Sequence, residues 1–357
     1  MKSRTDYIDS KFLTQLKNFQ ERRKITKIII ILFALLLLIP IALVQGVYPI
    51  PYFEVFRTIF VHLNPFQSTE NLNTIYSVIV WDIRMPRVLL AAAVGIALAS
   101  AGGVYQGCFR NPLVEPYILG VESGAAFGAA LAIVLPTFLF SLQLSAFLFG
   151  ISAVLLSYSL SRVRGETPVI MLILSGIVIG SLFMAGVSAL KYLAVEAALR
   201  EIVFWLMGGF YYSTWKDVIL ILPIVFLGFL IIWGLSWKLN VLSMGDDEAK
   251  ALGIRPELYK GIFITIATLI TAICVSAVGI IAWVGLMMPH AARLILGPDH
   301  RFMLPTAAMI GAIYMIICDT LARTLTTAEI PVGILTSIIG APYLIYLIRS
   351  RGKIVFG

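Results

Sequence analysis

The sequence predicts an all-α membrane protein, a polytopic bundle of about ten transmembrane helices. Apolar residues make up 60% of the chain and charged residues only 13%, whereas soluble domains carry about 25% charged residues. The mean hydropathy is +0.95. The apolar residues fall in blocks of about 20, the length that a helix needs to cross the bilayer core. These observations exclude a soluble enzyme, a secreted disulfide scaffold and a nucleic-acid-binding protein.

Ten apolar blocks are predicted to span the membrane. The seventh and eighth form one run that is broken near Trp283-Val284-Gly285 and Pro289, which leaves the eighth short. In order, the predicted spans are residues 28–47, 88–109, 117–135, 138–160, 169–190, 218–238, 260–282, 284–296, 302–322 and 331–348. An even number of spans places both termini on one side of the membrane.

The basic residues predict which side that is. Of the 27 Lys and Arg residues, 20 fall in segments that lie on the same side as the termini, and seven fall on the other side. Cytoplasmic loops of membrane proteins carry an excess of Lys and Arg. The sequence therefore predicts a multi-pass protein of the cytoplasmic membrane with both termini inside the cell.

The chain divides into one long membrane domain and two short ends. We assign residues 1–27 to a basic cytoplasmic segment, residues 28–350 to the ten-helix domain and residues 351–357 to a cytoplasmic tail. The longest outer connections are residues 48–83 and 191–216.

The N-terminal segment has the pattern of an amphipathic helix on the inner membrane surface. A partly ordered basic tail that only fixes the topology explains the same residues. The apolar positions that recur at helical spacing are Ile8, Phe12, Leu16 and Phe19.

Two similar segments indicate weak inverted-repeat character. Glu166-Thr-Pro-Val-Ile-Met-Leu opens the fifth span from inside, and Glu329-Ile-Pro-Val-Gly-Ile-Leu opens the tenth from outside. An inverted repeat of spans two to five and seven to ten requires this arrangement. Two unrelated helix starts, each with an acidic residue and a Pro near the first turn, explain the same residues.

Few side chains within the spans can carry chemistry. Glu122 and Asp319 are the carboxylates in the clearest spans, and such groups are typical of ion-coupled transporters. The ATP-binding pattern GxxxxGK[ST] is absent, so active transport by this chain needs energy from another polypeptide. The three cysteines have no metal-site spacing and are predicted to be small buried residues: Cys108, Cys274 and Cys318.

Small residues at GxxxG spacing predict close helix packing. Without a hydrophobic force between helices in lipid, close backbone approach holds them together. Packing within the chain is the favoured interpretation, and a specific dimer face is the alternative. The glycines are Gly103 and Gly107 in the second span, Gly120, Gly124 and Gly128 in the third, and Gly176 and Gly180 in the fifth.

The inner connection 239–259 contains the pattern of a short helix. Acidic residues follow Gly245, and Gly253 supplies a stop, as helix ends prefer. Such a helix on the cytoplasmic side can dock into a groove of a soluble partner. An ordinary connecting turn is the alternative.

Further motifs follow one another along the chain in the order of a known family. They are Arg84-Met-Pro-Arg87, Gly102-Gly103-Val-Tyr-Gln106-Gly107, Arg110-Asn111-Pro112-Leu113-Val-Glu115-Pro116, Leu119-Gly120-Val-Glu-Ser123-Gly124, Gly285-Leu-Met-Met-Pro289-His290-Ala-Ala-Arg293, Gly297-Pro298-Asp299-His300-Arg301, Asp319-Thr-Leu-Ala-Arg323 and Pro331-Val-Gly333. Over residues 28 to 350 the chain resembles the FecCD-type permease family of type II ABC importers, which carry iron-siderophores, haem and cobalamin.

The resemblance implies a transport subunit and not an enzyme. It implies a homodimer or a pair with a paralogous permease, two cytoplasmic ATP-binding subunits and an extracytoplasmic substrate-binding protein. ATP and magnesium then belong to the ATPase partner, and this chain binds no cofactor and no metal of its own. An ion-coupled secondary transporter that works through Glu122 and Asp319 is the alternative function.

The resemblance also implies roles for particular residues at the two faces of the membrane. At the outer face, Arg84, Arg87 and Arg323 are expected to dock the binding protein as mobile charged surface groups. Anchoring to lipid headgroups is the alternative for the first two. At the inner face, the coupling helix that contacts the ATPase comprises Gly245, Asp246, Asp247, Glu248, Ala249, Leu252 and Gly253.

The turn Asn111-Pro112-Leu113 resembles the loop that closes the pathway at its inner end in the family. The opposing gate of the cobalamin importer is a polar pair between spans four and five, where this chain has Thr167-Pro168-Val169-Ile170, so that pair is not clearly matched. Glu122 also departs from the family, which more often has Ser, Thr or Asn. Stabilisation by the helix dipole is the favoured explanation for Glu122, and contact with the substrate is the alternative.

The expected cargo is a metal chelate. A chelate already surrounds its metal, so the pathway needs no His or Cys ligands, and the chain has only three His residues. His290 belongs to a family motif near the inner face and is expected to be structural.

Overall fold

A computed structural model describes residues 4–64, 66, 72–137, 140–162, 166–326 and 328–355, and within these ranges the described side chains begin at Glu21. Most of these residues are helical. The helices are α1 Arg4–Val44, α2 Tyr52–Leu63, α3 Thr74–Ser77, α4 Met85–Phe109, α5 Val121–Val134, α6 Leu142–Ser161, α7 Val169–Leu193, α8 Glu196–Met207, α9 Trp215–Gly234, α10 Ser236–Leu242, α11 Asp246–Ala251, α12 Pro256–Val278, α13 Val284–Leu296, α14 His300–Ala322 and α15 Val332–Val355. A π-helical turn, Val78–Arg84, joins α3 to α4.

Each of the ten predicted spans corresponds to a helix in the described part of the chain. Seven helical segments are long and apolar enough to cross a membrane, and three further apolar helices are shorter. The shorter ones are α5, α13 and the first part of α15, residues 332–346. The prediction of an all-α bundle with about ten spans is confirmed.

Local turns shorten two of the predicted spans. The third was expected from residue 117, but the backbone turns there through a bond from Gly120 N to Tyr117 O of 2.8 Å, and Gly120 has a φ of 83°. This left-handed conformation suits glycine, so α5 begins only at Val121. The sixth span was expected to reach residue 238, but α9 ends at Gly234 and α10 follows it.

The outer connections contain helices that the sequence did not predict, namely α2, α3 and α8. At the other face, α1 continues without a break from Arg4 into the first span. The side chains before Glu21 lie outside the description, so the placement of residues 6–24 on the membrane surface stays a prediction.

Helix α4 forms the centre of the bundle. Almost all of its side chains are buried, and it packs against α9, α12, α13 and α14. Close approach is possible because glycines face each other: a methyl group at Gly95 would overlap the backbone of Gly311, and one at Gly102 would overlap that of Gly285. The three cysteines are free and buried in α4, α12 and α14, as predicted.

The GxxxG glycines are used for packing within the chain. Gly124 and Gly128 lie directly against backbone carbonyls of α6, those of Phe149 and Ser145. Gly176 of α7 lies against the carbonyl of Ile118. These contacts confirm the favoured interpretation, since any side chain at these positions would separate the helices.

Four helix ends on the predicted outer side of the membrane meet at a charged cluster that is largely buried. Arg87 of α4 pairs with Asp319 of α14 at 2.6 Å and with Glu329, just before α15, at 2.7 Å. Arg323 lies 3.4 Å from the same Asp319 carboxylate. We call Arg84, Arg87, Asp319, Arg323 and Glu329 the outer cluster.

The cluster also closes the end of α1. Arg84 donates hydrogen bonds to the carbonyls of Leu43 and Val44 at 2.8 and 2.9 Å, and Arg323 donates to that of Gln45 at 2.7 Å. The last carbonyls of a helix have no partner within it, and cations are favoured at this end of the helix dipole. The two arginines therefore satisfy carbonyl groups that would otherwise be unpaired.

This arrangement corrects one expectation about the three arginines. Arg84, Arg87 and Arg323 are only 4%, 5% and 5% exposed, so in this chain they are not mobile surface groups. Their guanidinium groups are drawn inward by two carboxylates and by the end of α1. The docking role itself stays a prediction.

Replacing Asp319 by Asn tests whether the outer cluster holds the helix ends together. The variant leaves Arg87 and Arg323 buried without their shared carboxylate, and breaking a buried ion pair from one side costs about 3 to 5 kcal/mol. We expect a clearly lower melting temperature for the purified protein in detergent. Glu196→Gln is the control, because it removes an exposed pair with Arg200, worth about 0.5 kcal/mol or less. An Asp319→Asn variant that melts with the parent would contradict this role.

Candidate functional site

The inner connection between α10 and α12 contains the predicted short helix. Helix α11 begins after Gly245, which has a φ of 146°, and ends before Gly253, which has a φ of 75°. Both are conformations that side chains other than glycine rarely adopt. The acidic first turn and the glycine stop identified this helix correctly from sequence.

Helix α11 and its flanking residues present a mixed apolar and acidic surface. Met244 and Leu252 are 63% and 56% exposed, and Asp247 is also exposed. Ala249 is fully buried and faces the rest of the protein. A soluble partner would therefore contact Met244, Asp247 and Leu252, and Ala249 is excluded from that surface because it packs inward.

A chain of polar contacts connects α11 to two neighbouring segments. Lys260 of α12 is 1% exposed, and its Nζ lies 2.6 Å from Asp246 and 3.8 Å from Glu257. The other oxygen of Glu257 accepts hydrogen bonds from the backbone N–H and the hydroxyl of Thr167. We call Asp246, Lys260, Glu257 and Thr167 the inner chain.

The inner chain ends where α7 begins. Thr167 precedes Pro168, the residue that caps α7, and Glu166 beside it pairs with Lys250 of α11 at 3.5 Å. Side-chain contacts therefore link α11 to the start of α7 through the buried Lys260. Sequence reasoning identified the acidic side of this contact but missed Lys260, because its partners become neighbours only in the folded chain.

The turn Asn111-Pro112-Leu113 follows directly on α4. Arg110 ends the helix with a φ of 53°, and the Asn111 side chain accepts a hydrogen bond from Leu113 N at 2.9 Å. This bond closes the turn locally and leaves the Leu113 side chain about half exposed. The predicted gate residues therefore form one compact turn whose apolar tip points away from the core.

Leu113 borders a cavity of about 500 Å³, which we call the inner cavity. Its walls are the turn after α4, the first turn of α5 and one face of α7. The lining residues include two carboxylates, Glu115 and Glu122, and no Lys or Arg is among those that the structure describes there. The full lining is Leu113, Glu115, Tyr117, Ile118, Gly120, Glu122, Ser123, Gly176, Ile177, Gly180, Ser181 and Met184.

A second cavity of about 580 Å³ lies beside α8, near the outer ends of α6 and α12. Aromatic and polar side chains line it, among them Gln143, Arg200, Trp205 and Tyr211. The Trp205 Nε1 and the Tyr211 hydroxyl are buried without a hydrogen-bond partner in the described structure. Burial raises the pKa of Tyr211 to about 12, so this hydroxyl stays protonated and available as a donor at neutral pH.

The two membrane carboxylates have different surroundings and do not form a pair. Asp319 is fully buried and held by Arg87 and Arg323 near the outer face. Glu122 lines the inner cavity, next to the turn after α4. An ion-coupled pathway through both residues would need a mobile Asp319, and its two guanidinium partners prevent this.

Comparison with known proteins agrees with this geometry. The profile of the FecCD transport family matches residues 33–350. The cobalamin import system permease protein BtuC of Halobacterium salinarum is 42% identical over 277 residues, which cover 77% of this chain and 74% of the relative. The molybdate import system permease protein MolB of Haemophilus influenzae is also 42% identical, over 77% of this chain and 82% of the relative.

A solved structure has the same fold. It is described as an inward-facing conformation of a metal-chelate type ABC transporter, is 36% identical and superposes with a TM-score of 0.78. The match covers 92% of this chain and 99% of the other. Together with the family profile, this shows that the chain belongs to the FecCD transport family.

Proposed function

We propose that the chain is the membrane-spanning permease subunit of an ATP-driven ABC importer for a metal chelate. The main support is the family match over residues 33–350, which includes all the predicted spans except the first residues of the first one. The inner surface around α11 supplies the contact that such a subunit needs with an ATPase. The chain itself does no catalysis in this proposal.

The cargo that we propose is an iron-siderophore, haem or cobalamin. Overall similarity does not choose among cargoes, because a cobalamin permease and a molybdate permease are equally similar to this chain. The choice has to come from the residues that line the pathway. The metal is part of the cargo in each case and is not bound by residues of this chain.

The proposed assembly contains a second permease, either a copy of this chain or a paralogue. Two cytoplasmic ATP-binding subunits bind ATP and magnesium, and an extracytoplasmic binding protein delivers the cargo. The permease of a transport family has to receive energy from such partners, since this sequence lacks the ATP-binding pattern. Closure of the ATP-binding subunits would draw the two α11 helices together.

The inner chain supports a route from α11 to the inner gate. Movement of Asp246 pulls Lys260 and Glu257, and these act on Thr167 at the start of α7. Helix α7 carries Gly176 and Gly180 in the wall of the inner cavity, opposite Leu113. ATP-driven movement of α11 thus changes the width of the cavity at the gate.

Docking of the binding protein is proposed at the outer surface. Arg84, Arg87 and Arg323 can serve there only if acidic groups of the binding protein replace their internal partners. Three other basic side chains of the predicted outer surface are already exposed, namely Arg57, Arg200 and Lys216. Exposed charges steer association, and ion pairs between exposed groups break easily, as a transient contact requires.

The first prediction from the proposed function concerns the contact with the ATPase. Leu252→Asp places a charge in the exposed apolar part of the α11 surface, so we expect loss of co-purifying ATPase and of cargo-stimulated ATP hydrolysis. Arg255→Gln is the control, because this side chain is exposed a few residues further along. The proposal fails if no ATPase co-purifies with the parent chain, and the α11 surface is wrong if Leu252→Asp assembles normally.

The second prediction concerns transmission through the inner chain. Lys260→Met leaves Asp246 and Glu257 without their buried cation, so we expect fewer cargo molecules transported per ATP hydrolysed in proteoliposomes, together with a lower melting temperature. The double variant Asp246→Asn with Lys260→Met removes one of the two uncompensated charges and should regain part of the stability but not the coupling. Recovery of both would show that Lys260 only stabilises the fold.

The third prediction concerns the orientation. Met244→Cys should react with a membrane-impermeant maleimide only in inside-out vesicles that have been stripped of peripheral proteins, and Tyr52→Cys only in intact cells. Both positions are exposed, and the three native cysteines are buried, which keeps the background low. Labelling of Met244→Cys in intact cells would reverse the orientation and remove the ATPase contact.

A further inference from the structure

The inner cavity has an unusual charge composition for a space within a membrane protein. Two carboxylates, Glu115 and Glu122, border it, and the other polar lining residues are Tyr117, Ser123 and Ser181. None of the described lining residues is a cation. The cavity therefore has a formal charge of one sign only.

The two carboxylates have no partner within the described chain. Neither forms an ion pair or accepts a side-chain hydrogen bond there, whereas Asp319, Asp246 and Glu257 all do. Burial raises the pKa of Glu115, and no neighbouring cation opposes this effect. Both side chains are partly buried at the cavity wall. With no cation beside them, their negative charge acts on the space of the cavity.

Ser123 is a second feature of the cavity that points to a ligand. The residue is only 8% exposed and lines the cavity, yet its hydroxyl makes no hydrogen bond to any described residue. Hydroxyls of buried Ser residues usually find a partner: nearby, Ser157 donates to the carbonyl of Leu119 in another segment, and Ser175 donates to that of Leu172 one turn earlier. The Ser123 hydroxyl is thus available to a molecule in the cavity.

The helix dipole explains only part of this arrangement. Glu122 is in the first turn of α5, where a carboxylate is favoured. Glu115 lies in the turn before α5, outside any helix, and gains no such stabilisation. The dipole also gives no reason for the unpaired Ser123 hydroxyl, which faces the same space.

We infer that the inner cavity is a charge filter in which Glu122 and Glu115 favour a cationic metal chelate and disfavour an anionic one. Cavities with one sign of charge and low-dielectric walls concentrate ions of the opposite sign. Carboxylates accept hydrogen bonds and Ser123 both donates and accepts, which suits cargo with ammonium or hydroxyl groups on its outer surface. The inference rests on the proposed function, because it places the cavity on the import pathway.

The electrostatic potential in the cavity can be measured without knowing the cargo. Ser181→Cys places a thiol in the wall, and its reaction rates with a trimethylammonium-ethyl and a sulfonatoethyl methanethiosulfonate are compared in the purified full-length complex. We expect the ratio of the cationic to the anionic reaction rate to be about tenfold higher at this thiol than at a free thiol in solution. Adding Glu122→Gln should reduce this preference several-fold, and adding Glu115→Gln as well should remove it.

Glu196→Gln serves as the control, because it removes a carboxylate from an exposed surface helix and should leave the preference unchanged. A preference near one in the Ser181→Cys protein, or one that survives both Gln substitutions, would overturn the inference. Failure of the chain to assemble with an ATPase would instead overturn the proposed function, and the measured field would stand.

Uptake by the complete importer tests the selection itself. Glu122→Lys reverses the charge at the filter, so uptake of the native cargo should fall at least about tenfold, and Glu122→Gln should lie between this variant and the parent. Uptake that is unchanged or faster in Glu122→Lys would show that the cargo is not selected as a cation, even though ATP-dependent import is intact.

Discussion

The charged cluster at the predicted outer face joins the ends of α1, α4 and α14. Arg87 and Arg323 share the carboxylate of Asp319, and Arg84 and Arg323 satisfy the last carbonyls of α1. Unpaired backbone groups are not tolerated in lipid, and unpaired charges still less. In the cluster, the same guanidinium groups neutralise the acids and donate hydrogen bonds to the carbonyls at the end of the first span.

The two faces of the membrane are built differently around the central helix α4. Its start is held by a buried ion pair between Arg87 and Asp319 and by a second pair between Arg87 and the partly exposed Glu329, and its middle packs against α13 and α14 through facing glycines. Its inner end leads to a short turn at an open cavity. The contacts between the inner segments involve the buried Lys260 as well as exposed groups such as Lys250 and Glu166.

Family membership and the chemistry of the pathway give different information about the cargo. Membership in the FecCD transport family rests on the profile match over residues 33–350 and on relatives that are similar over most of the chain. Two relatives whose names give different cargoes, cobalamin and molybdate, are equally similar to this chain. Overall similarity therefore does not identify the cargo, and the charge filter that we propose places its selection at Glu115 and Glu122 in the wall of the inner cavity.

The sequence by itself determined the ten spans and the helix α11, because hydropathy, glycine stops and acidic first turns act over a few neighbouring residues. The assignment of Asn111-Pro112-Leu113 as the gate came from the family resemblance and stays a prediction. Only the tertiary structure decided that the three outer arginines are buried, since Arg87 and Asp319 are 232 positions apart in the chain. It also decided that Glu115, Ser123 and Ser181 share one cavity and that Lys260 joins α11 to α7. Such partners meet only after the helices have packed, and no local pattern records which distant residue a charge will find.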